Sequence, residues 1–496
     1  MEKMLKVSLG LMVLVLSVFL VAGTASAKSC PTTLTSADCG CVADIPNQTY
    51  TLAGDMICST TYGIIIGAPG VTIDGKGYKL QGPGAANLDC EVKNFENGEC
   101  QGCPCRSPLP SGIINANTAT TNSCNPDAGP GQGGCDNVII KNLEITGWCN
   151  GIFMSGDCNY GSERTNPVPG QTVGTGENSE YRLTGIIIEN NVIHDNGAEC
   201  QCTGCAGGCD CDHPYFNDGI FLAQVGVNSA SCESADLPCK APYGDPCTNI
   251  MNQDKPHEKR NIVRHNLIYN QKGCCCESCP GGNCINLCSG IEARPEDPCK
   301  DGCWYAGCNE ISDNICNNTG CSCIQFHFGS DRNRIHNNIC MNNGYAGIGS
   351  ACDWLGDNYI YSNVIANAKG PGIGVNSPAH IYRNFSILNK NAPECSTPYD
   401  YHGCGIGFLA NAAGVCIKEN TCVGNEHADI YNPFNVTHNK SDNVCYTAIN
   451  SSPCDYNAGV SWIKTRADAD KSGKVTYPDF DILSWWWNKN CCSLPR

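Results

Sequence analysis

Apolar residues in this chain come in short clusters, and asparagines stand between them. "NEISDNICNNTGCSCI" (Asn309 to Ile324), "NRIHNNICMNNGYAGIG" (Asn333 to Gly349) and "NYIYSNVIANAKGPGIG" (Asn358 to Gly374) are three copies of one phrase. The inner asparagines Asn314, Asn338 and Asn363 recur 24 and then 25 residues apart, and Ile324, Ile348 and Ile373 keep the same phase. A fixed period of this size means one structural unit stacked on itself. Each copy runs asparagine, short β-rich stretch, asparagine, second stretch, glycine turn, then Gly-Ile and a third stretch. Gly-Ile pairs stand at 63–64, 112–113, 151–152, 219–220, 290–291, 347–348, 372–373 and 405–406, with Cys323-Ile324 in the same place. Helical periodicity is absent, and no Asn-Gly hairpin turns separate the runs.

Three short strands per period predict a coil. Each turn lays one strand on each of three parallel sheets, and successive turns sit about 4.8 Å apart. Alternate apolar side chains fill the interior. Asparagines at one corner stack, and each amide bonds to the next and to turn backbone.

On these residues the chain resembles the right-handed parallel β-helix repeat family, the pectate-lyase-like superfold. "YTLAGDMICSTTYGIIIGAPGVTIDGKGYKLQG" (Tyr50 to Gly82) is similar to that family's first turns, and the resemblance runs to about Tyr431. It implies an all-β right-handed parallel β-helix solenoid. Cysteine-rich loops interrupt the period at about 83–135, 157–180, 198–216, 225–256, 274–289 and 295–308.

All 42 cysteines follow residue 27. Before them, "MEKMLK", an apolar run and "ASA" at Ala25–Ala27 read as a secretory signal peptide over 1–27, with a membrane anchor as the alternative. Export makes disulfides the default. A metal–thiolate protein is the competing reading of Cys200–His213 and Gly273–Cys288, although neither carries two CxxC pairs at zinc-ribbon spacing. The net charge of −17 disfavours nucleic acid and anionic lipid as partners, and a polyuronate too unless basic residues gather locally.

The β-helix is expected over 28–445 and a small α-helical module over 455–496. In "ADADKSGKVTYPDF", Asp468, Asp470, Ser472, Lys474 (through its carbonyl), Thr476 and Asp479 occupy the oxygen-ligand positions of a calcium loop, with Gly473 at its sharp turn. The loop resembles half of an EF-hand-like dockerin, which implies calcium as cofactor and a scaffold protein as partner; only one such loop is found. Trp485–Trp487 on the following helix are expected to cover the coil's open end.

In strands that begin Gly-Ile, the isoleucine should point inward and alternate residues outward. That reading places Phe153, Phe221, Glu292, Arg294, Gln325, His327, Gly349, Gly374, Asn376 and Gly407 on one outer face, with Asp218 one turn below. The resemblance implies Arg294 as a base abstracting the proton alpha to a uronate carboxyl group, and Asp218 or Glu292 as calcium ligands. His327 is a further acid–base candidate. Asp218, Gln325 and Asn376 are candidate substrate contacts. Glu292 and Arg294 as a plain surface ion pair is the alternative. Asp331, Arg332 and Arg334 form a second cluster. The polygalacturonase motifs are absent, and "DHP" at Asp212–Pro214 is not the epimerase-like "DPH".

Two function classes follow: a secreted protein that binds or processes extracellular polysaccharide, lyase-like if catalytic, and a non-catalytic structural or adhesive cell-surface protein presented through its calcium-binding tail. Six Asn-x-Ser/Thr sites (Asn47, Asn317, Asn384, Asn435, Asn439, Asn450) fit either.

Overall fold

The computed structural model describes residues 28–88, 90, 109–115, 135–155, 183–198, 217–223, 260–273, 282–288, 306–307, 309–326, 330–331, 333–350, 358–376, 379–390, 403–408, 415–432, 440–441, 443–445 and 448–449. Residues 1–27, the module at 455–496 with its calcium ligands, and Glu292, Arg294 and His327 lie outside the described residues.

The strands assemble into sheet 1 (12 strands, Thr33–Leu34 to Lys440–Ser441), sheet 2 (11 strands, Met56–Ile57 to Val444–Cys445) and sheet 3 (12 strands, Cys41–Ala43 to Ala448–Ile449). Neighbours within each sheet are parallel and one coil apart, as between Arg334–His336 and Asn358–Tyr361. The chain is therefore a parallel β-helix, and each coil visits the three sheets in the order 1, 2, 3. Its described helices are two 3-10 turns, Ser36–Asp38 and Ala85–Asn87. Among the described residues no helix is long and apolar enough to cross a membrane.

The strands are three to six residues long in most coils, so one or two side chains per strand point inward. In sheet 1 the inward column reads Ile73, Ile140, Ile188, Val263, Ile311, Ile335, Ile360, Ile381, Ile417. Every member is buried. β-Branched side chains suit this place because their stiff χ1 packs rung on rung. Each isoleucine contributes about 1.5–3 kcal/mol by leaving water.

The corner between sheets 1 and 2 turns in two residues. The first takes a left-handed conformation, as at Asn190, His265, Asp313, Asn337, Ser362 and Arg383. Asparagine and aspartate tolerate this better than other side-chain-bearing residues. The second residue enters a buried column of asparagines at 191, 266, 314, 338, 363, 384, 420 and 443. Asn338 shows the wiring. Its Nδ2 donates to Asn363 Oδ1 at 3.0 Å and to the Ile311 carbonyl at 2.9 Å. Its Oδ1 accepts from the Asn314 backbone N–H at 3.1 Å and from Asn314 Nδ2 at 3.0 Å. A sharp, buried corner leaves backbone groups without partners, and the stacked amides supply them. A second amide column runs through Asn261, Asn309, Asn333 and Asn358.

Disulfides staple the coil, as Cys30–Cys41 and Cys39–Cys58 near the first coils, Cys90–Cys149, and Cys323–Cys340 inside the barrel of the helix. Among the described residues, no three metal-ligating side chains gather.

One expectation fails on register. Ile220 pairs with Ile285, and Ile285 with Ile324. The third-sheet strand of that coil is Ile285–Cys288, entered by Cys284. Outward residues next to Gln325 are therefore led by Asn286, and Glu292 and Arg294 lose the register that set them there. The Gly-Ile pattern misled because cysteine replaces glycine here, as it does at Cys323.

Candidate functional site

The outward column of sheet 3 reads Ile65, Ile114, Phe153, Phe221, Asn286, Gln325, Gly349, Gly374, Gly407. All of these residues are buried. Phe153 and Phe221, expected on the outer face, are 1% exposed and stack at 4.9 Å. Gly349, Gly374 and Gly407, expected on the same outer face, are covered as well.

Asp218 and Gln325 do come together, linked by Asn286. Asp218 Oδ2 accepts from Asn286 Nδ2 at 2.9 Å, and Asn286 is in register with Gln325. Asn376 lies two coils beyond Gln325, at the end of Ile373–Val375, and does not join them. Asp218 Oδ1 accepts from the backbone N–H and the Nδ2 of Asn283, both at 2.9 Å. Burial pushes its carboxyl up to about 6, against the bonds from Asn286 and Asn283 that hold it down. A carboxyl tuned near neutrality is a general-base signature when substrate can reach it. Asp218 is fully buried, and its oxygens already hold three donors.

The bonding around it shows what it does. Asn150 Oδ1 accepts from the Asp218 N–H at 2.8 Å, Asp218 Oδ1 from the Asn283 N–H, and Asn283 Oδ1 from the Ser322 N–H at 3.0 Å. Asp218 is one rung of a third corner column whose neighbours are amides. Gln325 is 3% exposed, its Oε1 3.6 Å from Cys321 Sγ.

A reachable polar surface lies on sheet 1, and sheet 2 carries another through Lys79, Glu144, His194 and Tyr269. Two outward columns run along the later coils of sheet 1. One reads Glu310, Arg334, Tyr359, His380; the other reads Ser312, His336, Tyr361, Tyr382, Lys418. Glu310, Arg334, His336, Tyr359, Tyr361 and Tyr382 are part-exposed. Rings stack at coil spacing: His336 on Tyr361 at 4.6 Å, Tyr361 on Tyr382 at 4.8 Å, and Tyr359 on His380 at 4.6 Å. All three pairs are within 11° of parallel. The rings thus spend their faces on each other and present edges outward, with the tyrosine hydroxyls in a row.

Charge gathers here in a chain of net −17. Arg260 Nε lies 2.7 Å from Glu310 Oε2, Arg264 pairs with Glu189 at 2.7 Å, and Arg383 with Glu419 at 2.6 Å. Lys418 adds a second cation 3.1 Å from Glu419. His336, with Arg260 and Arg334, holds the Glu310 carboxyl below its usual range against the burial that raises it. Arg383 does the same for Glu419.

Of this face, the sequence pointed only to Arg334, in its cluster with Asp331 and Arg332. The signal was present: "NRIH", "NYIY" and "AHIY" alternate around one buried isoleucine, as the Gly-Ile stretches do. Alternation was read outward only in the third stretch of each cassette.

No family model matches the sequence, and no curated protein matches it. Solved structures do. The Dettilon tailspike protein is 14% identical with a TM-score of 0.42, over 84% of this chain and 59% of its own, so this chain spans under two thirds of the tailspike's length. The periplasmic alginate epimerase AlgG is 10% identical with a TM-score of 0.37, over 85% of this chain and 74% of its own. The Azotobacter vinelandii mannuronan C-5 epimerase AlgE4 A-module is 12% identical with a TM-score of 0.36, over 85% and 91%. Likeness this distant carries no argument about activity. The fold of this chain rests on its own register, three sheets of parallel strands one coil apart.

Proposed function

We propose that this is a secreted, disulfide-stapled β-helix protein that binds extracellular polysaccharide along the outer face of sheet 1. The observation that carries the reading is the pair of part-exposed columns from Glu310 to Tyr382. They offer hydroxyl, guanidinium, imidazole and carboxylate groups at strand spacing, a regular row of hydrogen-bonding edges for an extended chain of hydroxyls. The arginines around Glu310 and Glu419 relieve locally the repulsion that the acidic chain would exert on an acidic sugar.

The test is affinity electrophoresis against a panel of neutral and uronate polysaccharides, with Tyr361→Ala and Arg334→Ala beside the parent. Binding to at least one polymer, weakened about tenfold or more by either substitution, supports the reading. Retention of none, or equal retention of both variants, overturns it.

The lyase form of this reading assigns proton abstraction to Arg294, with Glu292 and His327 as further acid–base candidates. Its test is ultraviolet absorbance of unsaturated product from a polyuronate, lost in Arg294→Ala. A second reading, a non-catalytic structural or adhesive protein, is favoured by the burial of Asp218 as a corner rung and of Gln325 on its strand.

The tail enters the proposal as a calcium loop of Asp468, Asp470, Ser472, Lys474, Thr476 and Asp479 that presents the coil to a surface or scaffold partner. Terbium luminescence sensitised by the nearby tryptophans should appear on titration, fall on adding calcium, and vanish in Asp468→Ala/Asp470→Ala.

A further inference from the structure

Inside the coil, one position of sheet 3 faces one position of sheet 2 in the following coil. At most coils the first is glycine and the second isoleucine. A Cβ placed on Gly151 would stand 2.5 Å from Ile193 Cγ2, and one on Gly219 would stand 2.7 Å from Ile268 Cγ2. Gly112 faces Ile145, and Gly347 faces Ile365, in the same way. The β-branched side chain takes the space that a side chain on the opposite strand would need.

Two consecutive coils depart from this rule on both sides at once. Cys323, in the glycine position, faces Cys340, in the isoleucine position, and the two are bridged. One coil earlier, Cys284 holds the glycine position, since Ile285 is in register with Ile324. Cys316 holds the isoleucine position, being in register with Cys340 and flanked by Ile268 on the other side. Both are fully buried thiols in this structure. Cys284 Sγ donates to the Ile268 carbonyl at 3.5 Å, and burial together with the neighbouring Cys316 thiol pushes the Cys284 thiol well up. A cysteine in the glycine position would clash with an isoleucine opposite it, so the two replacements belong together.

We propose that Cys284 and Cys316 are a second interior disulfide site, equivalent to Cys323–Cys340, and that the two bridges form consecutive rungs clamping sheet 3 to sheet 2 across three coils. The bond closes during coiling, before the pair is sealed from solvent. The thiols release two protons and pass two electrons to a disulfide oxidant of the exporting compartment, which leaves as a dithiol; one S–S bond forms and one breaks. Where cysteine sits opposite glycine, as Cys422 opposite Gly405, this site has no bridge to make.

Thiol counting under denaturing, non-reducing conditions decides the matter by sign. In protein secreted from an oxidising compartment, Cys284→Ser should expose one more alkylatable thiol than the parent, because Cys316 loses its partner. The double variant Cys284→Ser/Cys316→Ser should match the parent count. If Cys284→Ser shows one thiol fewer than the parent and the double variant two fewer, both cysteines are free in the secreted protein and the proposal is overturned. A repacking control guards against misfolding. Cys284→Gly/Cys316→Ile restores the pair used by neighbouring coils and should fold with the parent thiol count, with a thermal midpoint a few degrees lower. A parent thiol count higher than the repacked variant's by two would again sink the bridge.

Discussion

His336 and Asn338 stand two residues apart in one strand and turn, and both positions recur in every later coil, yet they behave in opposite ways. The column through Asn338 is asparagine at eight successive coils, from Asn191 to Asn443. The column through His336 reads arginine, serine, histidine, tyrosine, tyrosine and lysine from Arg264 to Lys418. An inner-corner residue bonds to copies of itself above and below, so a change in one coil leaves two neighbours unsatisfied in a place water does not reach. An outer-face residue touches its neighbours through ring stacks and exchangeable ion pairs, with solvent on its far side. Repetition therefore marks what holds the coil, and variation at the same period marks what the coil can present.

The largest effect that separates the two regions is expected at Asn338. Asn338→Leu removes a side chain holding bonds on both sides and should lower unfolding free energy by about 3–5 kcal/mol in urea. Tyr361→Ala should lower it by no more than about 1.5 kcal/mol while weakening polysaccharide binding. Equal destabilisation by the two would break the comparison.

Asp218 tests the inner side with pH. Its carboxyl sits at about 6 in the folded coil, above the ordinary carboxylate value near 4 in the unfolded chain. The native state therefore binds the extra proton, and stability falls as pH rises from about 4 to 6. Asp218→Asn abolishes that loss. Asn286 Oδ1, which has no hydrogen-bond partner among the described residues, can accept from the new amide once the Asn286 side chain flips. The variant should be more stable than the parent by about 2–3 kcal/mol at pH 7 and indistinguishable from it near pH 3.5. Destabilisation at pH 7 would show that Asp218 needs its charge.

Glu310 tests the outer side with the opposite sign. Its folded carboxyl is held low by His336, Arg260 and Arg334, so its contribution is present above the unfolded value and lost as pH falls through the folded one. Glu310→Gln should cost about 1 kcal/mol at pH 6 and nothing in strong acid, a difference that shrinks in high salt. The smallest expected effect is on glycan occupancy. Asn384 is a buried corner rung whose Nδ2 donates to Asn420 Oδ1 at 3.0 Å, whereas Asn47 is exposed. Peptide mapping after secretion from a glycosylating host should find Asn384 bare, and a glycan there would contradict the column.

Much of the coil was legible because its signals are local and repeated. Asparagine before short strands and isoleucine at alternate positions can be read one cassette at a time. The candidate site was far less legible. Glu292 and Arg294 take their expected places from the Gly290-Ile291 pair, whereas the residue in register with Ile220 and Ile324 is Ile285, entered by Cys284. Asp218 was read as a surface acid because a carboxylate before Gly-Ile looks reactive in isolation. Its role came from Asn150, Asn283 and Asn286, which are 65 and 68 residues away along the chain.

Taken alone, the sequence determined that this chain is a stack of three-strand coils with amide corners and an apolar interior led by isoleucine. A residue that repeats against itself carries its own partner in the next copy of the period. Only the tertiary structure decided which outer face is open and which is covered, which Cys–Ile or Gly–Ile pair enters each coil, and which carboxylate is a rung and which a surface group. Those outcomes depend on register across insertions of unequal length and on what lies over a strand, and neither is encoded in the residues of the strand itself.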